Sequence, residues 1–158
     1  MDIEKEIQSR FENEYQKVVV NVVYTYGWVT GFLRERLAKH DVTLQQYNIL
    51  RILRGQHPKP ATINLLKERM LDKMSDASRI VERLIQKDMV SRSVNQKDRR
   101  AVDIYISQKG LDVLKKLDPI ITPDGILKQN LTATEAKQLN SLLDKLRGSN
   151  GEENQQER

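Results

Sequence analysis

Ser75, Ser78, Arg79 and Arg83 fall at spacings that share one face of a helix, and Lys97, Arg99 and Arg100 crowd together farther along, separated only by Asp98. All but the aspartate are hydrogen-bond donors suited to anions. Short hydroxyl side chains at a helix start let backbone N–H groups approach a phosphate, where the helix dipole adds attraction. Arginine can grip a phosphate, or guanine O6 and N7, with two parallel bonds. Asp76 would repel phosphate. It could accept from a cytosine amino group or stabilise the start of its helix, and the second role is favoured. Asp98 fits best as a partner of a neighbouring arginine or of loop N–H groups, fixing the cationic cluster before it binds.

Other chemistry has little support. Cysteine is absent, which excludes disulfides, thiolate nucleophiles, thiol redox sensing and Cys-ligated metals. The two histidines, His40 and His57, lie far apart in the chain, and metal binding needs three or four converging ligands. No Ser-His-Asp order, phosphate loop or dinucleotide fingerprint occurs. Acidic pairs such as Glu152-Glu153 sit in a polar tail. No catalytic residue, metal site or cofactor is therefore expected, and the chain does not read as an enzyme.

Charge localisation supports the polyanion reading. The 158 residues carry a net charge of +5, and the whole surplus lies between residues 59 and 110, which hold 12 Lys/Arg against 7 Asp/Glu. The rest of the chain balances. With 38% hydrophobic residues and a mean hydropathy of −0.64, one core can form but little apolar area is spare, so a second chain would help bury it. No apolar run approaches bilayer length, and Met1-Asp2-Ile3-Glu4 is acidic where a secretory leader is basic; a cytoplasmic protein with no membrane partner is expected.

The elements that must position these residues follow from periodicity. From Ile3 to His40, apolar residues recur mostly three or four apart, which predicts one long helix with an irregularity near Gly27. Such a helix is about 50 Å long, more than a small domain is wide, so part of its stripe needs a second chain. Thr43 with Gln46 has the form of a capping box ahead of Tyr47, Ile49, Leu50 and Leu53. Pro58 and Pro60 forbid continuation, and Thr62 can cap a short helix with Ile63, Leu65, Leu66 and Met70. Ser75 is expected to cap the next helix, from Asp76 to about Asp88. Its apolar face is Ala77, Ile80, Val81, Leu84 and Ile85; its polar face is Ser75, Arg79, Glu82 and Gln86, with Glu82 read as a salt-bridge partner. Val90 and Val94, then Val102, Ile104 and Ile106, alternate as in two half-buried strands joined by Asn95 to Arg100. Another helix starts at Ser107 to Gly110 and should end or kink at Pro119 and Pro123. Thr132 with Glu135 caps a last helix bearing Ala136, Leu139, Leu142, Leu143 and Leu146, and residues 148–158 read as a disordered tail.

Two short helices joined by a tight turn and followed by a two-stranded hairpin with a basic tip make a winged helix-turn-helix. The stretch Met74-Ser75-Asp76-Ala77-Ser78-Arg79-Ile80-Val81-Glu82-Arg83-Leu84 resembles the recognition helix of MarR-type bacterial transcriptional regulators. Asp98-Arg99-Arg100-Ala101-Val102 and Ile106-Ser107-Gln108-Lys109-Gly110 resemble their wing, the pattern Asp-x-Arg and Ser/Thr-x-x-Gly falling on Asp98, Arg100, Ser107 and Gly110. The likeness extends over roughly residues 4 to 147. It implies a mainly α fold with a small β-hairpin wing, in a single domain over residues 1–147. Residues 43–110 would form the DNA-binding region, between dimerisation helices at 3–40 and 111–147.

The resemblance further implies a homodimer on a pseudo-palindromic double-stranded DNA operator, usually a repressor, released when a small phenolic or anionic effector binds. Pro119, Pro123 and Gly125 depart from it by interrupting a helix that is continuous in many relatives. Plainer readings stand alongside. Basic residues on an exposed helix are often only solvated, and a winged helix can serve as a protein-interaction module. Tyr24, Tyr26, Trp28 and Phe32 suit either ordinary core or dimer packing or the wall of an effector pocket, for which Tyr24, Trp28 and Phe32 are the candidates.

Overall fold

The computed structural model describes residues 2–95, 101–121 and 124–148. Its elements, in order, are α1 (Ile3–Glu6), α2 (Glu14–Ala38), α3 (Leu44–Gln56), α4 (Ile63–Arg69), α5 (Ala77–Gln86), β1 (Val90–Val94), β2 (Val102–Ile106), α6 (Gln108–Ile121), α7 (Asp124–Asn130) and α8 (Ala133–Leu146). They divide into two compact units, residues 1–121 and 122–158.

The long first helix expected from Ile3 to His40 is two helices. Gln8 takes a left-handed backbone (φ 52°), and Asn13 restarts the helix, its side chain accepting from the Gln16 N–H at 2.9 Å. An Asn cap satisfies an orphan donor of α2 and so competes with continuation of α1. Two polar contacts fold α1 back on α2: Lys17 Nζ to Glu4 at 2.9 Å and Tyr24 Oη to Glu6 at 3.1 Å. Gly27 does not interrupt α2. The Thr30 hydroxyl, buried, donates back to the Tyr26 carbonyl at 2.8 Å, a substitute for solvent that leaves the helix intact.

The threonine caps form as the sequence predicts. Thr43 and Gln46 complete a reciprocal capping box at α3, and Thr62 accepts from the Leu65 N–H at 3.2 Å at α4. With these starts fixed, α3 sends Tyr47, Ile49, Leu50 and Leu53 into the core, where they meet Leu66 and Met70 from α4 and Ala77, Val81 and Leu84 from α5. Leu37 from α2 and Leu114, Leu117 and Ile121 from α6 close it. Burying each large aliphatic side chain contributes about 1.5–3 kcal/mol, against about 1 kcal/mol for a cap, so the core sets the arrangement and the caps set where helices begin.

β1 and β2 pair antiparallel with Val90 opposite Ile106 and Val94 opposite Val102. Alternation turns Ile104 and Ile106 inward. A third extended segment, not anticipated from the sequence, joins the hairpin at Ala61, whose N–H and C=O exchange 2.9 Å bonds with Ile104. Pro60 before it favours an extended backbone.

After β2 the chain turns sharply into α6. The Ser107 N–H donates to the Met89 carbonyl at 3.0 Å, and its hydroxyl donates to the Asp88 carbonyl at 2.6 Å while accepting from the Gly110 N–H at 3.1 Å. Gly110 is buried here, and a Cβ on it would lie 2.3 Å from the Met89 carbonyl oxygen and 2.8 Å from the Ile106 side chain. α6 then packs on α2 and α3, helped by a bidentate pair from Arg54 to Asp118 at 2.6 and 3.2 Å that raises the Arg54 pKa. The sequence has Pro119 and Pro123 ending or kinking α6; Pro119 lies inside the helix, which continues two residues further to Ile121, whose side chain is buried in the core. Pro123 and the polar tail from residue 149 lie outside the described residues.

In the second unit, α8 starts with the predicted capping box, Thr132 with Glu135. The Thr132 N–H and hydroxyl both bond the Glu135 carboxylate, which holds its pKa below the ordinary value. None of the residues of α8 is buried, and Leu139, Leu142 and Leu146 are exposed. Among the described residues, no helix is long and apolar enough to cross a membrane, and no cluster of His, Asp and Glu is placed to hold a metal ion.

The junction at Gly110 yields a stability prediction. Gly110→Ala forces a methyl against a backbone carbonyl and should lower the unfolding free energy by about 1–3 kcal/mol, read as a lower urea midpoint at unchanged slope. Gly55→Ala, with nothing near its Cβ position in a helix, should be neutral or stabilising in the same assay.

Candidate nucleic-acid interface

The turn from α4 to α5 is organised by one carboxylate. Asp72 accepts from the Ser75 hydroxyl at 2.6 Å and from the Met74 N–H at 3.0 Å, and these bonds, with a further one from the Gln45 side chain, hold its pKa below the ordinary value. Asn48 on α3 accepts from the Leu71 N–H at 2.9 Å and ties the other end of the turn to the core. The cap of α5 is Asp76 rather than Ser75: its side chain accepts from the Arg79 N–H at 3.2 Å. A carboxylate at this position complements the helix dipole as well as capping it, whereas the Ser75 hydroxyl is already spent on Asp72. The helix-start role favoured for Asp76 is what the backbone shows.

From this start, α5 presents Ser78, Arg79, Glu82, Arg83 and Gln86 to solvent and Ala77, Val81 and Leu84 to the core. Glu82 is a salt-bridge partner, of Arg92 on β1, which ties the helix to the hairpin. Arg79 and Arg83 pair with no carboxylate among the described residues. Two guanidinium groups without a carboxylate partner among the described residues thus stand on an N-capped helix whose opposite face is locked in the core. Ser75 is half-buried at the helix start, and Ser78 is exposed on the first turn.

The hairpin stands beside this face. Ser78 and Glu82 from α5, Arg92 from β1 and Val102 and Ile104 from β2 line a cleft of about 180 Å³ between helix and strands. At the far end the Asn95 N–H reaches the Ala101 carbonyl at 3.1 Å and its side-chain amide donates to Asp103 at 2.9 Å, closing the ladder. Lys97, Asp98, Arg99 and Arg100, predicted as the basic tip, lie outside the described residues.

Tyr24, Trp28 and Phe32, the candidate effector residues, follow one another by four along α2. They do not enclose a cavity in this chain: Tyr24 and Trp28 are exposed, and Phe32 is half-buried beneath the Arg36 guanidinium, 3.3 Å from its ring centroid. The Glu6 carboxylate bonded to the Tyr24 hydroxyl raises its pKa. Exposed Tyr15, Val18, Val19, Val22, Val23 and Tyr26 make most of α2 an uncovered apolar surface.

Residues 40–101, which take in α3, α4, α5 and β1 and stop just before β2, match the model of the MarR family, a name that solved transcriptional regulators carry. Over these residues the chain is similar to the MarR family. No curated protein sequence matches the chain. Solved structures do. A MarR transcription factor from Planctomyces limnophilus is 27% identical, with 85% of this chain and 98% of that one aligned at a TM-score of 0.64. A cysteine-to-serine mutant of MarR from E. coli, complexed with operator DNA, is 25% identical over 87% of this chain and 99% of that one, at a TM-score of 0.75. S. aureus MepR, also solved with DNA, shares the fold at 19% identity over 89% and 99%, with a TM-score of 0.73. The mainly helical fold with its antiparallel hairpin is thus that of MarR winged helices, as the sequence predicted.

The Asp72 turn leads to a titration prediction. A carboxylate whose folded pKa is depressed stabilises the turn above its unfolded pKa and loses that contribution as pH falls through the folded value, so this turn should loosen only in acid, below about pH 4. Ser75→Ala removes the largest cause of the shift and should move the Asp72 midpoint up towards 3.8, measured by NMR titration of the carboxyl carbon.

Proposed function

We propose that the chain is a sequence-specific double-stranded-DNA-binding transcriptional regulator that acts as a homodimer on a pseudo-palindromic operator and represses until a small molecule releases it. The observation that carries the DNA reading is the pair Arg79 and Arg83, without carboxylate partners among the described residues, beside Ser78 on a helix whose back is fixed in the core and whose start is capped. Guanidinium groups in that setting match guanine O6 and N7 in the major groove. Lys97, Arg99 and Arg100 would then hold the adjacent backbone or a narrow minor groove, supplying affinity that depends on salt rather than on sequence.

The homodimer reading rests on the apolar surface of α2 and the exposed leucines of α8. A second copy is the economical cover for two such surfaces on one chain. In that assembly Tyr24, Trp28 and Phe32 would form an aromatic wall against which a planar, anionic effector could stack, with Arg36 close to the ring of Phe32.

Three measurements separate these roles. Arg79→Ala should lose about 1–3 kcal/mol on a selected operator and little on random duplex, in a fluorescence-anisotropy competition; equal weakening on both would remove it from base readout. Arg99→Ala and Arg100→Ala should each make the dependence of log K on log salt shallower by about one phosphate's worth, and an unchanged slope would take the wing out of the contact set. Val19→Glu with Val23→Glu should turn a dimer into a monomer by light scattering and abolish operator preference. A wild-type protein that is already monomeric would contradict the assembly.

A further inference from the structure

Met74 is 94% exposed, the most exposed large hydrophobic residue among the described residues. The other strongly exposed apolar side chains mostly lie on α2 and α8, where a second copy would cover them. Met74 lies on neither. It sits two residues before the Asp76 cap, at the end of α5 that carries Ser75, Ser78 and Arg79.

Its backbone is held in an ordered turn. The Met74 N–H donates to Asp72 Oδ1 at 3.0 Å, the next residue's hydroxyl donates to Asp72 Oδ2 at 2.6 Å, and Asp76 then caps the helix. The fold fixes the backbone on both sides of Met74 yet buries almost none of its side chain. Thioether side chains are unbranched and polarisable, and adapt to small apolar partners. In a major groove entered by the start of α5, one apolar feature distinguishes a base pair: the 5-methyl group of thymine.

We infer that Met74 is a specificity-determining residue that reads a thymine 5-methyl group at the edge of each half-site. The inference rests on the DNA reading of α5, and it adds a base identity that the arginines alone do not specify. Arg79 and Arg83 select guanine by hydrogen bonds; Met74 selects thymine by removing one methyl group from water. Burying a group of that size corresponds to about a fourfold preference per half-site.

The test uses the full-length protein and the tightest duplex it selects from a randomised pool. Each thymine is replaced in turn by deoxyuridine, which keeps every hydrogen bond and lacks only the methyl group. Wild type should lose about fourfold per half-site at one symmetric pair of positions. Met74→Ala should bind the unmodified duplex correspondingly more weakly and be indifferent to deoxyuridine at that pair. Met74→Gln, which keeps length without apolarity, should behave like Met74→Ala, while Leu71→Ala, another exposed residue in the same turn, should keep the wild-type pattern. If both Met74 variants respond to every deoxyuridine as wild type does, or if the coupling belongs to Leu71, the assignment is wrong although DNA binding stands. If the wild type selects no duplex at all, the DNA reading fails and the assignment falls with it.

Discussion

The Met89 carbonyl is the point on which the winged-helix part of the molecule turns. It ends the segment leaving α5, accepts from the Ser107 N–H at 3.0 Å, and lies against the α-carbon of Gly110, where no side chain could fit. Three elements therefore meet at backbone distance: the exit from α5, the base of the hairpin and the first turn of α6. Contact this close leaves little room for the hairpin to move relative to α5. The Ser-x-x-Gly pattern gains a physical meaning here. The serine ties two carbonyls and an N–H together, and the glycine admits the approach.

At the other end of α5 the constraint is electrostatic. Asp72 and Asp76 spend their oxygens on N–H and hydroxyl donors of the turn and the first helical residues, and both place negative charge near the face that carries Arg79 and Arg83. They fix where the arginines stand at a cost in nonspecific attraction for polyanions. Weakening nonspecific affinity while preserving geometry raises the ratio of specific to nonspecific binding, the quantity that matters when one site competes with a genome. The Glu82–Arg92 pair works in the same sense. Its charges are substantially exposed, so it adds little stability, but it ties α5 to the strand beside it.

Most of this architecture is legible in the sequence because it rests on local signals. Thr43 with Gln46, Thr62, and Thr132 with Glu135 announce helix starts by chemistry that needs no tertiary context, and Val102, Ile104 and Ile106 announce a strand by alternation. The misreadings come where two local signals compete. Ser75 and Asp76 are both good caps, and only the presence of Asp72, which takes the serine hydroxyl, decides between them. Continuous apolar spacing hid the break at Gln8 and the new start at Asn13. Pro119 reads as an end or a kink; the helix runs two residues past it, where burial of Leu117 and Ile121 outweighs one lost hydrogen bond near the end of α6. Ala61 carries no strand signal; its pairing with Ile104 exists only because the fold brings them together. Of the candidate site, the face of α5 was readable, while the absence of described partners for its arginines was not.

The central claim is that α5 reads duplex DNA from a twofold-related pair of chains. Hydroxyl-radical footprinting of the protein on fragments of its source genome tests it most directly. The account predicts two protected half-sites of related, inverted sequence whose centres lie about one helical turn apart, roughly 34–36 Å, on one face of the duplex. Protection spread evenly along every fragment, or a single unpaired half-site, would contradict it.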